Sequence, residues 1–101
     1  MLLTTEAHIL SPTTVLNHEI DHALQDDQNP EQYRADIKID DQSYKDKEEE
    51  RVITGSEQET AKKHGEIKEG EVTRRDHYGT FYETTGPTST EFKNPVIIII
   101  W

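Results

Sequence analysis

The scarcity of large apolar side chains is the feature that most restricts what this chain can fold into. The 101 residues include 21 Leu, Ile, Val and Phe residues, and five of these lie in one terminal run at 96–100. That share is close to the level at which disordered chains become common. Charged residues make up 32% of the chain and the net charge is -10, so the core is too small to stabilise a fold alone. We therefore expect a ligand, a metal ion or a missing partner segment to contribute to folding.

The acidic composition also excludes several classes of protein. A sequence pI near 4.8 argues against nucleic acid as a partner, because phosphate binding needs a basic surface. The longest apolar run has six residues, at 96–101, which is too few to span a bilayer. The first residues lack the regions of a classical signal peptide, which leaves localisation open between the cytoplasm and export by a specialised secretion system. With no cysteine, any metal must be held by His, Asp or Glu.

The first predicted helix covers residues 14–25. Ser11 or Thr13 can cap it, Pro12 fits in its first turn, and Pro30 prevents its continuation. Its apolar side chains recur at helical spacing and form one stripe, which we expect to face the core: Val15, Leu16, Ile20, Ala23 and Leu24.

A second helix is predicted from about Asp46 to His64, where Gly65 ends it. Gly55 weakens the middle of this helix by about 1 kcal/mol relative to Ala. The polar segment between the helices, 31–46, is ambiguous, and its Asp-rich part, 36–46, is expected to form a mobile loop. The composition after Gly70 favours extended or irregular structure.

The predicted fold class is therefore α+β, mainly helical with little or short β structure. Only 12 residues precede the first helix, which is room for one short strand ending at Ile9–Leu10. We expect three parts: a lead at 1–12, the main domain at 13–90, and a C-terminal tail at 91–101 that carries the apolar run.

The first helix contains the motif that carries chemistry, His18-Glu19-Ile20-Asp21-His22, which reads H-E-x-x-H. Residues four apart lie about 40° from each other around a helix, so both imidazoles can reach one metal ion. Glu19 can then approach the open coordination position, where a zinc site holds the water that attacks a peptide bond. Chance predicts only about 0.03 occurrences of this motif in such a composition. The pattern therefore indicates a zinc site with Glu19 as the catalytic base.

A site of this kind needs a third protein ligand, and several residues compete for the role. The metzincin pattern is excluded, because Gln25 and Gln28 stand where that pattern has Gly and His. Three carboxylates on the second helix, Glu48, Glu49 and Glu50, point about 100° apart, so only one can face the metal. The other two are expected to lie on a solvated acidic face.

Residues near the end of the chain offer further candidates. His77 can act as a ligand or as a catalytic group that stabilises the oxyanion on a peptide carbonyl, and Tyr78 is an alternative for the second role. Asp76 is a candidate for orienting a ligand imidazole, and Glu83 is a remote candidate for the third ligand. His64 is expected to interact with a helix dipole, and His8 to be structural or exposed.

Three segments together resemble the NleD-like zinc metallopeptidases, which are bacterial effector proteases and zincin domains at the ends of Rhs-repeat toxin-like proteins. The segments are the H-E-x-x-H helix at 11–25, the Glu-x-Arg-Val helix at 47–57, and the stretch Thr-Arg-Arg-Asp-His-Tyr-Gly at 73–79. The resemblance implies that the domain at 13–90 is a zincin-like metallopeptidase core. It also implies zinc ligands at His18, His22 and Glu49, with Glu19 as the base. It also implies further sequence upstream, so that this chain would be a fragment, the tail of a toxin-like protein, or the product of a decayed gene.

Three hypotheses follow from these patterns. The favoured one is an effector-like, zinc-dependent endopeptidase that acts on a protein or peptide substrate, with no nucleic acid and no membrane span. The first alternative is a catalytically inactive zinc-binding or protein-interaction fragment of such a domain. The second is a largely disordered acidic segment with coincidental histidines. The sequence leaves the substrate and the oligomeric state open.

Overall fold

The fold is α+β and mainly helical, as predicted. The structure is a computed structural model that describes residues 2–5, 8–84 and 92–100. At residue 2 and beyond residue 79 it describes the backbone alone. Helix α1 covers Pro12–Gln28 and α2 covers Pro30–Asp36. A third, continuous helical segment at 47–63 consists of α3 (Lys47–Val52), a π-helical turn (Ile53–Glu57) and α4 (Gln58–Lys63). Both predicted helices are thus present.

Helix α1 begins at Ser11, where a distant carboxylate completes the cap. The Ser11 Oγ accepts a hydrogen bond from the Thr14 N–H, and Pro12 occupies the first turn. Glu66 accepts hydrogen bonds from the Ser11 N–H and the Ser11 hydroxyl, both at 2.8 Å, and from the Thr14 hydroxyl at 2.9 Å. A carboxylate is stabilised at this end by the helix dipole. The loop at 66 is thereby attached to the start of the helix that carries the metal-binding motif.

Most of the apolar stripe of α1 faces solvent, so the prediction that it faces the core was wrong except for Val15, which packs against the buried apolar cluster. Leu16, Ile20 and Leu24 are 57%, 43% and 48% exposed, whereas His18 on the opposite face is fully buried. Periodicity identifies a stripe but not which side of the helix the rest of the chain covers. Here α3 and the π-helical turn cover the polar side, where their carboxylates contact its imidazoles.

The segment at 31–46 contains regular structure. Helix α2 occupies its first part, which the sequence left ambiguous. In the Asp-rich part, predicted as a mobile loop, two short strands, β3 (Asp40–Asp41) and β4 (Lys45–Asp46), pair in a hairpin instead. The Asp41 carboxylate accepts hydrogen bonds from the N–H groups of residues 43 and 44 at 2.8 and 2.9 Å and so closes the turn. Asp and Asn stabilise turns through this type of contact.

Four antiparallel strands form the sheet, in the order β2–β1–β5–β6. Two short strands precede α1, where the sequence predicted one: β1 (Leu2–Thr4) and β2 (Ile9–Leu10). The longer strands are β5 (Tyr78–Thr84) and β6 (Phe92–Ile100). The sheet is therefore larger than expected, because the segment predicted as a tail supplies a strand.

Among the side chains that the structure describes, the apolar core is small. Its buried cluster joins the sheet to α4 and the following loop through Leu3, Leu10, Ala61 and Ile67. A Cβ at Gly79 would collide with the Leu3 side chain, so a larger residue there would force Leu3 to move. Among the side chains described, six apolar residues are buried against eleven polar or charged ones. Polar contacts therefore occupy much of the interior.

Candidate metal centre

His18 and His22, one helical turn apart on α1, direct their Nε2 atoms toward Glu49 of α3. The two Nε2 atoms lie 3.0 Å apart, and the His18 Nε2 is 3.6 Å from the Glu49 Oε1. The His22 Nε2 is in direct contact with the same oxygen. One ligand atom from each of these three residues lies within 4.8 Å of the others, so His18, His22 and Glu49, called the ligand cluster below, could hold a metal ion.

Glu57, at the end of the π-helical turn, holds the opposite side of the His18 ring. The His18 Nδ1 lies 3.0 Å from the Glu57 Oε1, and both side chains are almost completely buried. Arg74 donates two hydrogen bonds to Glu57, at 2.6 and 3.1 Å, and the Thr73 hydroxyl donates a third at 2.5 Å. The imidazole is therefore oriented by a carboxylate that is itself fixed by three donors.

Glu48 holds the His22 ring in the same manner. Its Oε2 lies 2.7 Å from the His22 Nδ1. Arg51 forms a two-pronged contact with Glu48, at 2.7 and 3.0 Å, and also donates to Asp21 at 3.0 Å. Each ligand imidazole thus has its own carboxylate and its own arginine.

These contacts decide the protonation pattern of the two rings. An ionised carboxylate accepts hydrogen bonds only, so each Nδ1 carries a proton, and a ring that has lost its second proton presents its Nε2 lone pair to the centre. This is the tautomer that a metal-binding histidine needs. The Glu49 Oε2 is buried and has no hydrogen-bond partner among the described residues. Such an atom is costly to leave unpaired, and a cation between the three side chains would satisfy it.

The charges of the cluster shift the pKa values of its members in the direction expected for a centre that binds a cation. Burial alone would lower the pKa of His18, but contacts with Glu49 and Glu57 outweigh burial and raise it to about 9. Burial would raise the pKa of Glu49, and contacts with both histidines instead lower it to about 2. Contacts with Glu49 and Glu48 also raise the pKa of His22 against the effect of burial. Without a metal, protons therefore occupy the imidazoles.

An open cleft of about 430 Å³ borders the cluster on the His22 side. Glu19 is exposed and lines this cleft together with His22 and Glu49. The cleft is also lined by Tyr33 and Ile37 of the α2 region and by Lys45 of the β3–β4 hairpin. His18 lies deeper, with no exposed surface. The motif glutamate, His22 and Glu49 thus face a common open space.

The predicted carboxylates of the second helix occupy three different environments. Glu49 joins the ligand cluster, and Glu50 is exposed on the solvated face, as expected for one of the three. Glu48 is 1% exposed and orients His22. The expectation that two of the three are solvated was therefore wrong for Glu48.

The predicted residues at 76–78 lie outside the cluster. The His77 Nδ1 donates to the Ser43 carbonyl at 2.9 Å, and the His77 ring stacks on Tyr78 with centroids 4.3 Å apart. Asp76 accepts a hydrogen bond from the Tyr78 N–H and is not the carboxylate that orients a ligand ring. His77 does not line the cleft described above, and a catalytic role for it stays a prediction.

The remaining candidates have local contacts. His64 follows the last turn of α4, as expected, and its Nδ1 lies 3.5 Å from Glu66. His8 lies 3.9 Å from Glu71. The side chain of Glu83 is outside the described residues.

Sequence reasoning missed Glu57 and Arg74. Glu57 lies eight residues beyond Glu49, but the π-helical turn that ends at Glu57 changes the helical register, so ideal helical spacing gives no signal for it. Arg74 offers no signal either, because it reaches Glu57 only through tertiary folding.

Comparison with known proteins gives no match to any protein family, curated protein or solved structure. In the part of the chain that the structure describes, no helix has the length and apolar character needed to cross a membrane.

Proposed function

We propose that the chain is a zinc-dependent metallopeptidase of the H-E-x-x-H type, effector-like as its resemblance to the NleD-like family implies, or a remnant of one. The observation that carries this proposal is the pair of imidazoles whose Nδ1 atoms are both held by carboxylates while their Nε2 atoms converge on Glu49. Two nitrogens and one carboxylate oxygen form a donor set that suits zinc and leaves room for a fourth ligand. The unpaired Glu49 Oε2 supports the same assignment.

The roles of the residues follow from their positions. His18, His22 and Glu49 would hold the ion, which when bound would lower the pKa of a water molecule and polarise a peptide carbonyl. Glu19 lines the cleft beside the ligands and accepts the proton of the attacking water as general base. It then delivers this proton to the leaving amine. Glu48 and Glu57 keep the imidazoles in the tautomer that binds metal.

Metal binding is tested first, without reference to activity. Purified chain is loaded with zinc and its metal content is measured after gel filtration. We expect one zinc per chain, retained in Glu19→Gln and lost in His18→Ala and Glu49→Gln. Glu50→Gln is the matched control for Glu49→Gln, because its exposed carboxylate lies outside the cluster. Wild-type chain that retains no zinc would contradict both the peptidase and the zinc-binding alternative.

Hydrolysis is tested next on a broad library of peptides. We expect cleavage by the zinc-loaded wild type and a loss of about 10²- to 10⁴-fold in Glu19→Gln, which is the usual effect of removing a general base. Glu31→Gln, an exposed acid on α2, should leave the rate unchanged. Zinc binding without any cleavage would instead favour the catalytically inactive alternative.

A further inference from the structure

The cleft beside the ligand cluster contains a cation that the proposed chemistry does not use. Lys45 lines this cleft together with Tyr33, Ile37 and Glu19. It is the one cation among the described lining residues, and no carboxylate of the described part of the chain lies within ion-pair distance of it. The nearby Lys47, by contrast, lies 3.7 Å from Asp36.

The acids of the same cleft are engaged with the protein itself. Asp46 caps α3 by accepting a hydrogen bond from the Glu49 N–H at 2.9 Å. Glu48 is paired with Arg51 and His22, and Glu49 belongs to the ligand cluster. Lys45 is therefore a positive charge in an open space whose other charged groups are occupied, apart from the proposed base Glu19.

The backbone at Lys45 adds an independent observation. Lys45 has a φ of 80° and is the one non-glycine residue with positive φ in the described chain. This position ends the hairpin turn between β3 and β4, where glycine is normally favoured because L side chains are strained in the left-handed region. Strain that a fold retains beside a site is a reason to look for a function of the residue concerned.

We infer that Lys45 binds a carboxylate of the substrate, so that the cleft selects peptides with an acidic group near the bond to be cleaved. This inference rests on the proposed function and names its substrate class. The net charge of -10 repels acidic ligands at long range, so a preference for them requires a local cation. Tyr33 and Ile37 offer an aromatic and an aliphatic surface on the same wall for a neighbouring apolar side chain.

A binding experiment on the full chain tests this inference without requiring hydrolysis. Short fluorescent peptides are made in pools that differ only in carrying Glu or Gln at one fixed position, and the position is moved along the peptide. Their dissociation constants are measured with the zinc-loaded Glu19→Gln chain. At one position we expect the Glu pool to bind about fivefold more tightly, as an exposed ion pair allows. Pools with free and with amidated C termini distinguish an acidic side chain from a terminal carboxylate as the group bound.

Three variants in the same background identify the source of the preference. Lys45→Glu should reverse it, whereas Lys68→Glu, which changes the net charge equally outside the cleft, should retain it. Lys45→Gly removes the cation and fits the positive φ, so it should abolish the preference while the chain remains folded. The inference is overturned if no position favours Glu, or if the preference survives in Lys45→Glu or Lys45→Gly.

The proposed function and this inference fail in distinguishable ways. If the pools show the Lys45-dependent preference but zinc-loaded wild type cleaves none of the peptides, the peptidase proposal fails and the carboxylate site stands. If wild type cleaves Glu and Gln peptides with equal kcat/KM and binds them equally, the peptidase proposal stands and the inference on Lys45 fails.

Discussion

Glu57 accepts the contacts that orient His18 from the side opposite Glu49, and its replacement should strongly lower the free energy of unfolding. It is 1% exposed and accepts hydrogen bonds from His18, Thr73 and Arg74. Glu57→Gln would remove the negative charge that the guanidinium of Arg74, which is 3% exposed, contacts at 2.6 Å. Breaking a buried ion pair in this way costs about 3–5 kcal/mol. Urea denaturation of the metal-free chain should show a loss of this size.

The matched control for this change is Glu59→Gln, on the exposed side of α4 two residues further on. It should alter the unfolding free energy by less than about 0.5 kcal/mol, as surface substitutions usually do. Equal effects of the two substitutions would show that Glu57 has no special part in the folded state.

At Lys45 we expect the opposite effect, because a substitution there should raise the stability of the chain. Because its φ of 80° lies in the left-handed region, Lys45→Gly should relieve about 1 kcal/mol of strain. Gln42→Gly in the same turn has no positive φ to relieve and should give no gain. The measurement is the midpoint of thermal unfolding, and a lower midpoint for Lys45→Gly than for wild type would contradict the strain at this position.

At the scale of elements, the π-helical turn connects the two parts of the site on one helix. It separates Glu49, in the ligand cluster, from Glu57, which holds His18. π-helical turns frequently occur at functional sites because they change the register of a helix. The spacing of residues in an ideal α-helix alone therefore does not predict how these two carboxylates are placed around one imidazole.

Gly55, within that turn, is a position where the chain can be stabilised. A Cβ at Gly55 would meet no atom within 4 Å, and its φ is not positive. Gly55→Ala should therefore raise the unfolding free energy by about 0.5–1 kcal/mol through the lower entropy of the unfolded chain. Gly65→Ala is the matched control, because there is equal space but a φ of +73°, and it should destabilise by about 1 kcal/mol. If both substitutions lowered stability, the π-helical turn would need glycine for another reason.

The elements also show which parts of the structure local sequence determines. Both main helices were predictable, because their caps and apolar spacing are local signals; α1 is predicted at 14–25 and observed at Pro12–Gln28. Its orientation was not, since Leu16 and Ile20 face solvent while His18 is buried. The choice of His18 and His22 follows from the motif and its spacing, and the choice of Glu49 follows from the family resemblance. Arg51 lies one helical turn after Glu48, whereas Arg74 reaches Glu57 only through a tertiary contact, which has no periodic signature in the sequence.

For the whole molecule, the scarcity of apolar residues and the ligand cluster have one explanation. The described interior contains a small apolar cluster and a larger polar one in which α1 contacts α3 and the π-helical turn through His18, His22 and their partners. A metal ion held by this polar cluster would link α1 to α3 directly, and metal binding of this kind contributes to folding free energy. The chain is expected to depend on metal for much of its stability.

The stability of the metal-free chain should fall as the pH rises, whereas the additional stability that zinc provides should grow. Contacts with Glu49 and Glu57 raise the pKa of His18 from 6.5 to about 9, so the folded metal-free state binds this proton more tightly than the unfolded state does. The stabilisation is therefore complete below pH 6.5 and is lost as the pH rises through about 9. With a chelator present, the urea midpoint should fall over this range, and His18→Gln should remove much of the fall. His8→Gln, outside the cluster, should retain it.

Zinc must displace the same protons before it can use the imidazoles as ligands. Its apparent affinity should therefore rise between pH 6.5 and 9, and the zinc-dependent increase in the urea midpoint should grow over the same interval. The two trends have one cause, since a proton and a metal ion compete for the Nε2 atoms that converge on Glu49. Zinc affinity that stayed constant across this range in wild type would show that the ion binds elsewhere. The same experiment on Glu49→Gln should give weak binding at every pH, because the one carboxylate of the donor set is then absent.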